Sequence, residues 1–454
     1  MNLSQRNIPL FVAFRVLFNA RFYYPVLGIL FLDFGLTIEQ YALLNVAWAA
    51  AIVCLEVPSG ALADRIGRKR MIVLAGALMV VEMSLLAFAP RGNATLLFAI
   101  FLLNRVLSGA AEASASGADE ALAYDSLVHD GRASEWPSVL ERLMRWQSAA
   151  FFFAMLVGAA VYDPELLRRV ASFLGLSVQI DASMTLRFPV YLTLISAVLT
   201  LITALSLREP PRTGVAEEST MVTATLRQVL ASGRWILRTP FALVVILCGL
   251  CFDSIVRLFL TVSSNYYRLI QFTEAVYGLI GSGFALLGFF SARWARRLAE
   301  RRSPVWNFAI VALLTWVGLL GVAAALPKWG LVFVVPLGVA FSLLGFFLSH
   351  YLNAVVDSAQ RATVLSFRGL AMNLAYGGVG LLFAALNGTL RASGMAEPGA
   401  GVDVVFARSL TWFPWYFLVT VLMLGAAGAW LLRGDRSFRL RLPVGTTSPN
   451  GPAK

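Results

Sequence analysis

The sequence is short of the residues that most chemistry uses. Only 14% of its 454 residues are charged, and it holds three cysteines and two histidines. Three cysteines cannot build a disulfide framework, and Cys54, Cys248 and Cys251 all lie inside apolar runs. Cys248-x-x-Cys251 has zinc-like spacing, but no second pair or histidine is near it, so it reads as packing and no metal site is expected. His129 and His350 alone leave little for a metal or a proton relay. Gly-x-x-x-x-Gly-Lys-Ser/Thr is absent, which excludes a P-loop pump. His-Glu-x-x-His and Gly-x-Ser-x-Gly are absent too. No cofactor is expected, and no enzyme.

Apolar residues fill the gap. They make up 59% of the chain, and the mean hydropathy is +0.75. Soluble chains are about 45–50% apolar and about 25% charged. A soluble fold, disorder, collagen and a coiled coil are excluded, and a polytopic membrane protein remains. A membrane-crossing helix needs ~20 mostly apolar residues. Such stretches recur at 9–32, 39–59, 70–89, 94–117, 142–162, 187–207, 240–261, 274–292, 304–326, 331–352, 362–387 and 411–432. A β-barrel is excluded because its strands alternate and run only ~10 residues.

The net charge of +12 suits either nucleic acid or an inward-facing membrane rim. Position decides. With the N-terminus inside, the inner segments carry 24 of the 37 basic residues and the outer loops carry 8. This split is the positive-inside pattern and argues against nucleic acid. It places both termini in the cytoplasm, and no cleavable leader is evident at 1–9. The break at 208–238 separates two six-span halves, 1–207 and 239–433, and 434–454 is a tail. Residues 221–237 read as an amphipathic helix on the inner surface or as a plain linker. Residues 163–186 are expected to hold a short surface helix.

The sharpest motif is Gly60-x-Leu62-Ala63-Asp64-Arg65-x-Gly67-Arg68-Lys69. Gly60 and Gly67 would allow a tight turn between antiparallel helices. Asp64 would face the positive end of another helix. A fainter copy, without the acid, follows span eight at Gly288, Arg293, Arg296 and Arg297. Asn104-Arg105-x-x-x-Gly109-x-x-Glu112 in span four puts Arg105, Gly109 and Glu112 on one helix face. Glu112 is therefore the expected partner of Arg105.

Together these elements resemble the major facilitator superfamily, over essentially all of 9–432. The resemblance implies an all-α fold of 12 transmembrane helices in two pseudo-symmetric six-helix bundles, and secondary transport by alternating access. It implies that Asp64 caps span eleven near Thr363 and Ser366. It associates the span-four motif with proton coupling. Span five, around Gly158, lacks the proline of the drug-antiporter members. That departure weighs against drug export. A multidrug efflux antiporter, a lipid or amphiphile flippase and a non-transporting receptor stand as alternatives to a small-solute transporter.

The intramembrane charges are the candidate site, since each costs ~2.5–3.5 kcal/mol on insertion scales. They are Arg21 beside Asn19, Glu82, Arg105, Glu112, Asp253, Arg257 and Arg368. Asp253 and Arg257, four residues apart, are expected to pair within their helix. Asp253 and Glu112 are the first candidates for a proton carrier. Glu56, Asp119 and Glu120 are expected at the inner rim with Arg142, Arg145 or Arg361. With the loop residues Gly60, Asp64, Arg65, Gly67, Arg68 and Lys69 they form the expected inner gate. The implied partners are a small solute, protons and the bilayer, and the chain is expected to be a monomer.

Overall fold

A computed structural model of the chain describes residues 2–177, 179–210, 233–356, 358–395 and 403–433. Among the described residues there is no strand. The first six spans are built from α1 (Leu3–Asn19), α2 (Leu27–Phe34), α3 (Ile38–Ile66), α4 (Arg68–Ala87), α5 (Ala94–Ala115), α6 (Ala118–His129), α7 (Trp136–Tyr162), α8 (Pro164–Phe173), α9 (Ala182–Thr185) and α10 (Phe188–Ser206). The rest are α11 (Pro240–Thr261), α12 (Ser263–Leu269), α13 (Glu274–Arg301), α14 (Pro304–Ala323), α15 (Leu331–Val355), α16 (Ser358–Leu390), α17 (Asp403–Leu410) and α18 (Phe413–Leu431).

Among the described residues, eleven stretches are long and apolar enough to cross a membrane, and each overlaps an expected span. The remaining expected span, 274–292, lies within the 28-residue helix α13. The expected surface helix in 163–186 is α8, with Asp163 as its N-cap. The Asp163 carboxylate accepts from the backbone N–H groups of Glu165 and Leu166, and Pro164 occupies the first turn. The expected amphipathic helix at 221–237 falls largely outside the described residues, and the tail 434–454 falls wholly outside them.

Two spans are broken where the sequence suggests continuity. The first stops at Asn19 and resumes as a short 3₁₀ turn at Tyr24–Val26 before α2. Pro25 explains the break, because proline disfavours a helical residue before it and donates no hydrogen bond. Arg21 sits in this unwound stretch. The fourth breaks at Ser116 and Gly117, between α5 and α6.

The chain divides into two compact units. Unit 1 is Met1–Gln228, Leu258–Ala285 and Asn373–Ser409. Unit 2 is Val229–Arg257, Leu286–Met372 and Leu410–Lys454. In unit 1, α4 packs against α5 and α10, α3 packs against α5, and α1 packs against α6, α7 and α10. Lipid tails are as apolar as leucine, so close fit rather than burial from water drives helix contact in a membrane. Gly109 supplies that fit. A Cβ there would lie 2.7 Å from Ala51 Cβ and 2.8 Å from the Trp48 carbonyl oxygen, so α3 and α5 meet backbone to backbone. In unit 2, α14 packs against α15 and α18.

Candidate functional site

The buried charges of unit 1 gather where the broken first span meets α3, α4 and α5. Arg21 Nη1 lies 2.6 Å from Glu82 Oε1, with both side chains out of solvent. The same Nη1 donates to the Tyr23 hydroxyl at 3.0 Å, and the guanidinium lies 5.5 Å from the Phe18 ring centre. Asn104 donates to the Glu82 backbone carbonyl at 2.7 Å. Arg105, next in sequence, is 7% exposed. Its Nη2 donates to Asn45 Oδ1 at 2.6 Å. Its guanidinium lies 5.7 Å from the Trp48 ring centre and 5.9 Å from that of Phe31. Asn45 is oriented in turn by donating to the Tyr41 carbonyl at 2.9 Å.

Glu112 was the expected partner of Arg105, and it is not the partner. The close approach at Gly109 brings Asn45 and Trp48 of α3 to Arg105, whereas Glu112 sits two turns along α5 and is half-buried. Asn19 donates to the Arg15 carbonyl at 2.8 Å, closing its own helix end.

Asp119 is 1% exposed and Arg15 Nε lies 3.1 Å from it, while Arg15 Nη2 lies 3.2 Å from Glu120. These acids therefore meet Arg15 of the first span rather than Arg142 or Arg145. Arg145 pairs with Glu141 at 2.7 Å, and the Arg361 side chain is outside the described residues. Glu56 lies half-buried in α3.

The Gly60–Lys69 segment is not a loop. Helix α3 runs through Gly60 to Ile66, so Gly60 lies within a helix and not in a turn. A single residue, Gly67, joins α3 to α4 at φ 113° and ψ 140°, a conformation that a side chain disfavours. Arg65 lies in the last turn of α3. The side chains of Asp64, Thr363 and Ser366 lie outside the described residues. The N-terminus of α4 is capped from elsewhere. Glu209, just beyond the sixth span, accepts from the backbone N–H of Arg68 at 2.9 Å and of Lys69 at 2.6 Å. A carboxylate suits that end of a helix. Arg68 also pairs with Asp125 of α6.

In unit 2, Arg257 Nη2 lies 2.5 Å from Asp253 Oδ2, the expected pair within one helix. Asp253 is 4% exposed. Arg368 of α16 is half-buried and within electrostatic reach of Asp253.

A further polar cluster in unit 1 escaped the sequence reading. Arg268 grips Asp33 with both guanidinium nitrogens, at 2.6 and 2.7 Å, and reaches Glu274 at 3.2 Å. The Tyr162 hydroxyl donates to Asp33 at 2.5 Å. Burial opposes the charge on Arg268, but the hydrogen bonds and charge of Asp33 outweigh it and raise its pKa above the ordinary arginine value. Arg391 pairs with Glu39 at 2.9 Å. Ser264 Oγ accepts from the backbone N–H groups of Gly28 and Ile29 at 2.9 and 3.2 Å. Arg268 and Asp33, Arg391 and Glu39, and Ser264 and Gly28 stand more than two hundred residues apart, beyond the reach of local spacing. Asp33 and Glu39 beside the Gly35 turn were the only signal.

No curated protein matches the sequence significantly. Among solved structures, a point mutant of the nucleoside transporter NupG aligns with a TM-score of 0.71 at 12% identity, covering 94% of this chain and all of the other. A bacterial homologue of the human lysosomal transporter Spinster, inward-facing and unoccupied, gives 0.67 at 17% identity over 96% of this chain and 98% of its own. A D-xylose–proton symporter gives 0.64 at 14% identity, over 96% and 98%. These likenesses fix the fold as that of the transporters of this type. The sequence model described as Major Facilitator Superfamily matches residues 10–381. With that match spanning most of its length, and with buried charges set inside its membrane-crossing helices, the chain is a multi-pass, non-enzymatic transporter belonging to the major facilitator superfamily.

Proposed function

We propose that this chain is a proton-coupled secondary transporter that moves a small solute across the cytoplasmic membrane by alternating access. The observation that carries the reading is the Arg21–Glu82 pair, held fully out of solvent at 2.6 Å where the first span unwinds. Burying two charges is costly even when they pair, and a scaffold would be served as well by apolar side chains. Glu82 and Asp253 each face an arginine. Protonating either carboxylate frees its arginine, which links proton occupancy to a change of partner. Solved structures of the same fold include a nucleoside transporter and a D-xylose–proton symporter. They support a polar small solute and a proton gradient as driving force.

In this reading, Asp33, Arg268, Glu274, Glu39 and Arg391 form the gate at one face, and the Glu56–Lys69 segment with Asp119 and Glu120 forms the gate at the other. The halves 1–207 and 239–433 rock about the buried charges, joined by 208–238. The chain works as a monomer, with both termini in the cytoplasm. Proteoliposomes with an imposed pH gradient, scanned over nucleosides, sugars and organic acids, test the reading. Uptake that follows the gradient and is lost in both Glu82→Gln and Asp253→Asn is expected. Gradient-driven uptake that survives in both variants overturns the coupling assignment.

A further inference from the structure

The arginines within the spans are not equivalent, and the difference identifies a ligand class. Arg21 is neutralised by Glu82, Arg257 by Asp253, and Arg15 by Asp119 and Glu120. Arg105 is buried like Arg21 and more deeply than Arg15 and Arg257, yet among the described residues every partner it has is neutral: Asn45, Phe31 and Trp48. Its Nε is buried and donates to nothing there. The nearest acid on the adjacent helix, Glu82, is already engaged by Arg21. A buried cation with an idle N–H is costly, and a ligand anion is the group that relieves it.

We infer that Arg105 is the anion-binding group of the transport site and that the solute is an organic monoanion with a flat apolar body, a carboxylate in chemical class. This rests on the transporter reading above and narrows its substrate. A single guanidinium without a carboxylate in contact pairs with a single anionic group. Asn45 takes one Nη2 N–H, and the Nε N–H, which points to the same edge of the guanidinium as Nη2, is left to meet a carboxylate oxygen. The rings of Phe31 and Trp48 flank the guanidinium, and Phe101 packs edge-on to Phe31 at 4.8 Å. Phe31 and Phe101 are buried behind the guanidinium, and the partly exposed Trp48 ring beside it is the face that suits an apolar body more than a sugar-like one.

The test compares three probes of nearly one shape: benzoate, benzamide and benzylammonium. The full-length protein in lipid nanodiscs is titrated with each, reading Trp48 fluorescence against a Trp48→Phe control together with the melting temperature. Benzoate should act at roughly tenfold lower concentration than benzamide, and benzylammonium should act least. Arg105→Gln should remove the preference, and Arg105→Lys should keep its order with weaker binding. Equal responses to the three probes, no response to any, or a benzoate preference that survives Arg105→Gln overturns the inference. Should Arg105→Gln not fold, the wild-type ranking and Arg105→Lys decide it. The titration needs no gradient. A protein that prefers benzoate but drives no uptake refutes the transport reading alone, and one that carries only neutral solutes refutes the anion site alone.

Discussion

Arg21 and Arg105 stand in the same compact unit, equally hidden, and are satisfied in opposite ways. Arg21 has a carboxylate at 2.6 Å; Arg105 has an amide oxygen at 2.6 Å and two aromatic faces. An ion pair cancels charge within the protein. An amide and two rings spread the charge without cancelling it. The first arrangement penalises loss of either partner, whereas the second tolerates loss of the cation and leaves it open to an outside anion.

The contrast makes ranked predictions. Glu82→Leu leaves Arg21 buried without its counter-charge and should cost roughly 3–5 kcal/mol. A fall in melting temperature, largely recovered in the Arg21→Leu, Glu82→Leu double variant, is the expected result. Destabilisation by the double variant as large as by the single would break the comparison. Gly109→Ala comes next. Its new methyl meets Ala51 and the Trp48 backbone, for about 1–3 kcal/mol of overpacking. Because Asn45 and Trp48 move with α3, this variant should also weaken anion binding, which the nanodisc titration would detect. Arg105→Gln should cost about 1–2 kcal/mol, less than the loss of Glu82, since it strands no charge.

Asp33→Asn should cost under about 1 kcal/mol, because Asp33 and Arg268 are each about one-third exposed and water screens them. Its larger effect should be on labelling: a cysteine placed at Ile29 should react faster with a membrane-impermeant maleimide in that background. The smallest effect concerns Asp130, the residue that ends α6. Hydrogen bonds from Ser4 and His129 hold its carboxyl down at about 2. The sign follows from that depression. The stability it contributes is complete above the unfolded value near 4 and disappears as pH falls towards 2. Melting curves across pH 5 to 2 should flatten in Asp130→Asn.

The spans were legible because a run of ~20 apolar residues is a local property. The Asp253–Arg257 pair was legible for the same reason, as four residues make one helical turn. Local spacing misled at Arg105. It pointed to Glu112 on the same helix, whereas Gly109 lets a neighbouring helix come close enough to supply Asn45. It also placed Gly60 in a turn that Gly67 makes alone. The grip of Arg268 on Asp33 and the Glu209 cap on α4 join residues 235 and about 140 positions apart. No periodicity encodes such distances; packing alone decides them.

The join at Gly67 has a mechanical consequence. A 29-residue helix and a 20-residue helix meet there with no slack between them. At 1.5 Å per residue the shorter arm is about 30 Å long, so a turn of ~10° at one pair of backbone bonds sweeps its far end by about 5 Å. Glu82 lies about three-quarters of the way along that arm, facing Arg21. The glycine is the fulcrum of a lever whose load is the buried charge.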